Sequence, residues 1–263
     1  MSDSSTPLPP RPTPLSPRRR AIVVGASSGI GAALAKRLAA EGWTLALLAR
    51  RTERLQMLCE EINSAAGETR AMYYVHDVTD FAAAQPLLQR IVADLGGLEM
   101  IVYNAGIALP TGFYHYDFET DRRMTEVNYL GALAWLDPAA MLFQGQGYGI
   151  IVGISSVAGD RGRVKNPAYN ASKAALTCYL EALRNRLTRQ GIHVLTVKPG
   201  YVATEMTAGQ KGLFLVASPE KVAADIARAI RRRKQTLYTP WFWALIMLIV
   251  RHIPSFIFRR LNF

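Results

Sequence analysis

Three side chains in the middle of the chain have the chemistry of proton transfer. Tyr169 and Lys173 stand four residues apart, the separation that puts two side chains on one face of a helix, one turn apart. A phenol ordinarily titrates near ~10 and is a poor acid–base catalyst at neutral pH. A close ammonium favours the phenolate, so the pairing predicts a lowered value. On its own a Tyr–Lys pair is common surface decoration, and its neighbours carry the weight. Ser156 closes the apolar run Ile150–Ile154, 13 residues before Tyr169. Its hydroxyl is suited to hold a carbonyl oxygen while the phenol passes a proton.

Such groups need a scaffold that brings a strand end and a helix together. The apolar runs Ala21–Val24, Thr44–Ala49, Ala71–Val75, Met100–Tyr103, Ile150–Ile154 and Val194–Val197 are short and bounded by Gly, Asn, Asp or Pro. Their length fits buried strands. Helical spacing fills Ile30–Glu41, Arg51–Ala66, Phe81–Leu95, Asp117–Phe143 and Ala168–Gln190. A further helix near Pro219–Arg233 and a strand at Gln235–Tyr238 extend the alternation. This order predicts an α/β, doubly wound parallel sheet of about seven strands, with helices on both faces. Its ligand crevice lies beyond the carboxyl ends of the strands. One domain, 21–239, accounts for the pattern.

The first strand runs into Gly25-Ala26-Ser27-Ser28-Gly29-Ile30-Gly31 and then into a helix. Glycines allow a tight turn and a close approach by phosphate, and the helix start offers unpaired N–H groups to it. A dinucleotide is the expected ligand. After the second strand come Arg50 and Arg51, with no acid until Glu53. A carboxylate there would read a ribose 2′-hydroxyl, whereas a guanidinium suits a 2′-phosphate, so NADP is expected over NAD, with Arg50 as the expected phosphate partner and Arg51 as the alternative. A solvated helix start is the plainer alternative.

Gly25/Gly29/Gly31, Asn104-Ala105-Gly106, Ser156, Tyr169-Asn-Ala-Ser-Lys173 and Pro199-Gly200 together resemble the short-chain dehydrogenase/reductase family over about 21–239. Val24 departs from the Thr that many members carry, which touches turn support more than chemistry. The resemblance implies a Rossmann-type sheet and hydride exchange between NADP(H) and a ketone or secondary alcohol. It implies cofactor contacts at Gly25, Ser27, Ser28, Gly29, Ile30, Gly31, Arg50, Arg51, Asn104, Ala105 and Gly106. Asp77 and Val78 would border the adenine, while Pro199, Gly200, Val202 and Thr204 would cover the nicotinamide. Catalytic roles fall on Ser156, Tyr169, Lys173 (which also grips the ribose) and Asn128, the anchor of a proton-relay water. A homodimer or homotetramer is implied as well. The rival reading is a non-catalytic NADP-binding scaffold or redox sensor, against which the intact Ser–Tyr–Lys set argues.

The net charge of +11 is concentrated at the end of the chain. Arg228, Arg231, Arg232, Arg233, Lys234, Arg251, Arg259 and Arg260 follow Asp225, and no acid does. They flank Trp241–Val250, ten apolar residues and half of the ~20 needed to span a bilayer. The amphipathic, basic tail 240–263 suits the headgroup region of an anionic membrane, with Trp241, Phe242, Leu245, Ile246 and Ile249 as the inserted face. Packing on a partner subunit or over the active site is the alternative. The run Pro240–Val250, Arg251-His-Ile-Pro254 and Phe256–Leu261, with Arg161-Gly-Arg163, is similar to bacterial reductases of polyprenyl-phosphoryl 2-keto-pentoses. That likeness implies a lipid-linked sugar ketone; other ketones stay open, because fold does not fix substrate.

The remaining expectations are brief. Thr204–Ser218, with Met206, Leu213, Phe214, Leu215 and Val216, falls where a substrate lid is expected. No basic–aromatic stripe accompanies the charge, so nucleic acid is excluded. Cys59 and Cys178 have no metal-ligand spacing and read as ordinary buried thiols in a reducing compartment; no metal is expected. Residues 1–20 hold six prolines and no apolar signal core, and read as a flexible leader. The expected location is the cytoplasm, peripherally on the inner face of the plasma membrane.

Overall fold

The computed structural model describes residues 19–112, 116–210 and 212–261; the leader, apart from Arg19 and Arg20, lies outside them. The strands are β1 (Arg20–Val24), β2 (Thr44–Ala49), β3 (Ala71–Val75), β4 (Met100–Tyr103), β5 (Gly149–Ile154), β6 (Ile192–Pro199) and β7 (Thr236–Thr239). All pair in parallel in the order β3-β2-β1-β4-β5-β6-β7. The helices are α1 (Gly29–Ala40), α2 (Thr52–Ala66), α3 (Phe81–Leu95), α4 (Phe118–Thr125), α5 (Gly131–Gln146), α6 (Pro167–Leu187), α7 (Pro219–Arg231), α8 (Phe242–His252) and α9 (Ser255–Phe258). The expected doubly wound sheet of seven strands is the architecture found.

Alternate residues of each strand feed two cores, because strand side chains alternate between faces. Ala21, Val23, Leu45 and Leu47 pack against Leu34 and Leu38 of α1, Leu55 of α2 and Ile226 of α7. Ile22, Val24, Ala46 and Leu48 face Leu88 of α3, Trp135 of α5 and Leu180 of α6. Full burial of each such side chain contributes roughly 1.5–3 kcal/mol. The strand order reverses where β1 and β4 lie side by side, and the crevice opens above that switch point.

Four expectations are corrected. The first strand begins at Arg20, whose backbone N–H and Nε both donate to Glu99 Oε2 at 2.9 Å. The single helix expected over Asp117–Phe143 is two helices joined by a π turn, Glu126–Leu130. Cys178 is exposed and only Cys59 is buried, because on α6 position 178 lies away from the Leu176–Leu180–Leu183 face that meets the sheet. In the tail, Trp241, Leu245 and Ile249 are exposed, with Leu248 beside them. Phe242 and Ile246 instead pack against the buried face of α8, which is Trp243, Met247 and Val250. That face rests on Val157, Tyr201 and Tyr238.

Candidate active site

The glycine turn is built by close backbone approach. Gly25 has φ 86°, and a Cβ there would stand 2.5 Å from Ala105 N. A Cβ on Gly31 would stand 2.1 Å from Gly25 O, and one on Gly29 2.9 Å from Thr204 Cγ2. Asn104 Nδ2 donates to Gly25 O at 2.7 Å, tying the end of β4 to the end of β1. Gly25, Gly29, Gly31, Asn104, Ala105 and Thr204 thus lie together around one turn. Ser28 precedes α1 with extended backbone and Ile30 packs its side chain into the core, so the helix start stays open to the crevice.

The two arginines divide. Arg50 lies 3.5 Å from Asp77 Oδ2 and is largely exposed. Arg51 turns to the glycine loop: its Nη2 donates to Ser27 Oγ at 2.9 Å and to Ser28 Oγ at 2.6 Å, and its Nε to Ser27 Oγ at 3.1 Å. Its Nη1 pairs with Glu205 at 2.7 Å, and Arg54 pairs with the same carboxylate. Hydrogen bonds from Arg51 and then Arg54 hold that carboxyl down to about 2. Burial opposes the charge of Asp77, but the Thr79 N–H and hydroxyl at 3.0 and 2.8 Å, with Arg50, outweigh it, and the carboxyl sits below its ordinary range. Val78 is buried against Gly131.

Two further glycines bring the catalytic candidates together. A Cβ on Gly153 would collide with Leu180, and one on Gly159 with the backbone of Lys173 and Ala174. Their absence lets α6 press onto β5 and onto the turn Val157–Asp160 that follows Ser156. Ser156 caps that turn, its Oγ accepting from Ala158 N at 3.1 Å, and its side chain acts on the Tyr169 phenol in the direction that lowers it. Ser155 Oγ donates to Lys173 O at 2.9 Å. The helix itself starts abruptly: Asn166 takes the left-handed conformation at φ 53° and Pro167 occupies the first helical turn.

Lys173 is buried, and its Nζ donates to Ile154 O at 3.0 Å and lies 6.0 Å from the Tyr169 ring centre. Burial brings its ammonium down to about 8. Burial also raises the Tyr169 phenol above its ordinary value, against a hydrogen bond from Ser156 and the charge of Arg163. The lowered phenol expected from the Tyr–Lys spacing is therefore not what the protein's own groups produce, since desolvation wins over a cation that spends its hydrogen bond on a carbonyl.

Asn128 sits in the π turn and is fully buried. Its Oδ1 accepts from Ile107 N at 2.7 Å, and its Nδ2 donates to Ile107 O at 2.9 Å and Ser172 Oγ at 3.1 Å. Tyr103 donates its hydroxyl to Val127 O at 2.5 Å, giving a partner to a carbonyl in the widened turn. Such turns recur at functional sites. A Cβ on Gly106 would lie 3.1 Å from Lys173 Nζ and 3.2 Å from Asn128 Oδ1, so Gly106, Asn128 and Lys173 converge.

Pro199 ends β6, and Gly200 N donates to Thr239 O at 3.0 Å. Val202 is buried and bridges Ala217, while Thr204 caps the turn Glu205–Thr207. This loop and the glycine turn enclose a cleft of about 660 Å³ lined by Ser28, Gly29, Thr204 and Leu213. Val216 lines the cleft as well, and Met206, Phe214 and Leu215 beside it are exposed. No group of metal-ligating side chains occurs among the described residues. Asp160, Lys198, Tyr238 and Trp243 also converge here, and nothing in their local sequence announced them.

A doubly wound sheet with this glycine turn and a Ser–Tyr–Lys cluster at its carboxyl edge defines a class of nucleotide-dependent oxidoreductases. Residues 19–212 match the family described as short chain dehydrogenase, and the chain belongs to it. It is 32% identical over 246 residues to an uncharacterized oxidoreductase of Mycobacterium tuberculosis, covering 92% of this chain and 97% of that one. It is 34% identical over 242 residues to an uncharacterized oxidoreductase of Myxococcus xanthus, covering 91% and 94%. Among solved structures it is similar to a short-chain dehydrogenase from Sphingobium yanoikuyae in complex with NADPH, with TM-score 0.78, 27% identity and coverage of 90% and 97%. Actinorhodin polyketide ketoreductase with NADPH gives TM-score 0.77 at 26% identity, covering 86% and 97%.

Proposed function

We propose that this oxidoreductase reduces a ketone with NADPH, or oxidises the corresponding secondary alcohol with NADP. The observation that carries the reading is the convergence of Ser156, Tyr169, Lys173 and Asn128 beside a cradle that only glycine can line. The cradle fits a pyrophosphate, Arg51 with Ser27 and Ser28 fits a ribose 2′-phosphate, and Lys173 lies within reach of a ribose. The two NADPH-bound relatives support the choice of cofactor. When bound, NADPH supplies the hydride. Ser156 holds the carbonyl oxygen, Tyr169 gives it a proton, and Lys173 holds positive charge beside the phenol. Asn128, with both amide atoms engaged by Ile107, keeps the relay end of the site fixed.

The site's titration gives a first test. Reduction requires a protonated Tyr169 and a charged Lys173. The phenol lies above its ordinary value, so Lys173, at about 8, is the first to lose its proton as pH rises. Reductive kcat/KM, which reports the free enzyme's groups, is expected to hold below that value and to decline as pH passes through it. A kcat/KM profile that stays flat to pH 10 removes Lys173's charge from the mechanism.

The substrate class we propose is a ketone carried on a lipid, met at an anionic membrane surface. No helix among the described residues is long and apolar enough to cross a membrane. Supporting the reading, α8 exposes Trp241, Leu245, Leu248 and Ile249 on the side away from its packed face, and Phe256 and Ile257 follow. Arg251, Arg259 and Arg260 lie among them. Apolar insertion plus about 1 kcal/mol per basic residue near an anionic surface gives reversible attachment, weakened by salt. Trp241→Gln with Leu245→Gln and Ile249→Gln changes only exposed positions. It is expected to release the protein from phosphatidylglycerol vesicles in flotation while the melting temperature and turnover of a soluble ketone persist. Equal flotation of both forms ends the membrane proposal.

A further inference from the structure

One buried carboxylate joins three parts of the molecule that meet at the site. Asp160 closes the turn begun by Ser156, and Gly159 N within that turn donates to Ser156 O at 3.1 Å. Its Oδ1 pairs with Lys198 Nζ at 2.5 Å, and its Oδ2 accepts from the Tyr238 hydroxyl at 2.6 Å. Lys198 directly precedes Pro199 and Gly200, and Tyr238 is the penultimate residue of β7, just before the tail. The ion pair is deep: the side chains are 2% and 9% exposed for Asp160 and Lys198. The next residue, Arg161, reaches the other way, donating Nη1 to Val250 O at 2.5 Å and lying 3.8 Å over the Phe258 ring.

The tail helix presses on the same loops. Trp243 is 1% exposed, and a Cβ on Gly200 would stand 1.9 Å from its Nε1. Its ring meets Tyr201 and Phe214 at 5.6 Å each, and it packs with Val157. A buried ion pair contributes little net stability, because desolvation offsets attraction, and an apolar pair of similar volume would do as well. Its use here is geometric. It fixes the Ser156 turn relative to the Pro199–Thr204 loop, the two segments that set where a carbonyl oxygen and a nicotinamide ring would stand.

We infer that Asp160 is a positioning residue for catalysis: through Lys198 and Tyr238 it locks the Ser156 turn to the Pro199–Thr204 loop, and Trp243 of the tail helix backs that lock. The inference rests on the proposed roles of Ser156 and NADPH. It assigns the C-terminal helix an internal duty in addition to its exposed face. Its chemistry is one of distance alone; no bond is made or broken at Asp160.

Asp160→Asn alone leaves the Lys198 ammonium buried without its carboxylate and endangers the fold. The deciding protein is therefore the full chain with Asp160→Asn and Lys198→Met together, which removes both charges. It is assayed by NADPH oxidation with 2-keto and 3-keto esters, NADPH titration, thermal melting and the fluorescence of bound NADPH. Melting and NADPH affinity are expected to stay near wild type, with kcat reduced about 30-fold and KM little changed, the loss that a misplaced reacting group brings. The fluorescence enhancement of bound NADPH is expected to fall as well, and it reads the loop even where no ester is accepted. If the double variant does not fold, Tyr238→Phe removes one hydroxyl only, and about tenfold lower kcat is expected. Unchanged kcat and fluorescence in a folded variant overturn the inference, as does a loss that follows melting alone. Ser156→Ala runs alongside: if it is active, the catalytic reading has failed; if it is inactive while the double variant is normal, only the lock has.

Discussion

Tyr169→Phe is expected to lower turnover by ~10³-fold or more while leaving NADPH affinity within about threefold of wild type. General acid catalysis by a positioned side chain contributes 10²–10⁴-fold, and in the proposed reading the Tyr169 phenol is the group that gives the proton. The change deletes one oxygen and keeps the ring, so the packing of α6 on the turn after Ser156 is undisturbed. Cofactor binding rests on other groups, namely the glycine cradle and Arg51. Steady-state kinetics and a fluorescence titration of NADPH check both halves. Activity within tenfold of wild type removes Tyr169 from proton transfer, and a parallel loss of NADPH binding makes it a structural residue. The scaffold or sensor reading predicts no turnover in either protein, so the wild-type assay separates that rival at the outset.

Much of this architecture was legible because of how parallel sheets bury their strands. A strand covered on both faces reads as an unbroken apolar run, and β2 and β4 carry the boundaries expected of Thr44–Ala49 and Met100–Tyr103; the edge strand β3 also keeps its expected bounds, Ala71–Val75, although Tyr73 and Val75 are exposed. The candidate site residues were picked out by type and by their expected positions at strand ends, and the fold brings Gly106, Asn128 and Lys173 together there. What escaped was set by distant partners. The π turn at Asn128 follows from hydrogen bonds to Ile107, 21 residues away, and leaves no mark on local spacing. The face expected of the tail wrongly included Phe242 and Ile246, which pack inward, because α8 is apolar around most of its circumference and its pattern does not mark the packed side. Which face packs is decided by Gly200 and Val157, far back in the chain. Asp160 is buried by partners 38 and 78 residues further on, Lys198 and Tyr238, which no local pattern marks.

The arginine pair shows the same limit and gives the second large effect. The sequence put Arg50 first for the 2′-phosphate and Arg51 second, since both follow β2, and adjacent residues leaving a strand point in different directions. Arg50 goes to Asp77, while Arg51 reaches Ser27 and Ser28 on the turn that would carry the cofactor. Arg51→Asp is therefore expected to lower the NADPH/NADH affinity ratio about 100-fold. A hydrogen bond to a charged group is worth roughly 1.5–3 kcal/mol, and the new carboxylate repels a 2′-phosphate as well. Arg50→Asp is expected to move the ratio far less, because its guanidinium stands off the turn and is mostly solvated. Titrating both cofactors against the two variants makes the comparison direct. Should Arg50→Asp carry the larger change, the 2′-phosphate sits on the Asp77 side of the crevice and the assignment of Arg51 is wrong. Should neither ratio move, the preference does not come from this pair, and the glycine turn would bind both cofactors through their shared pyrophosphate.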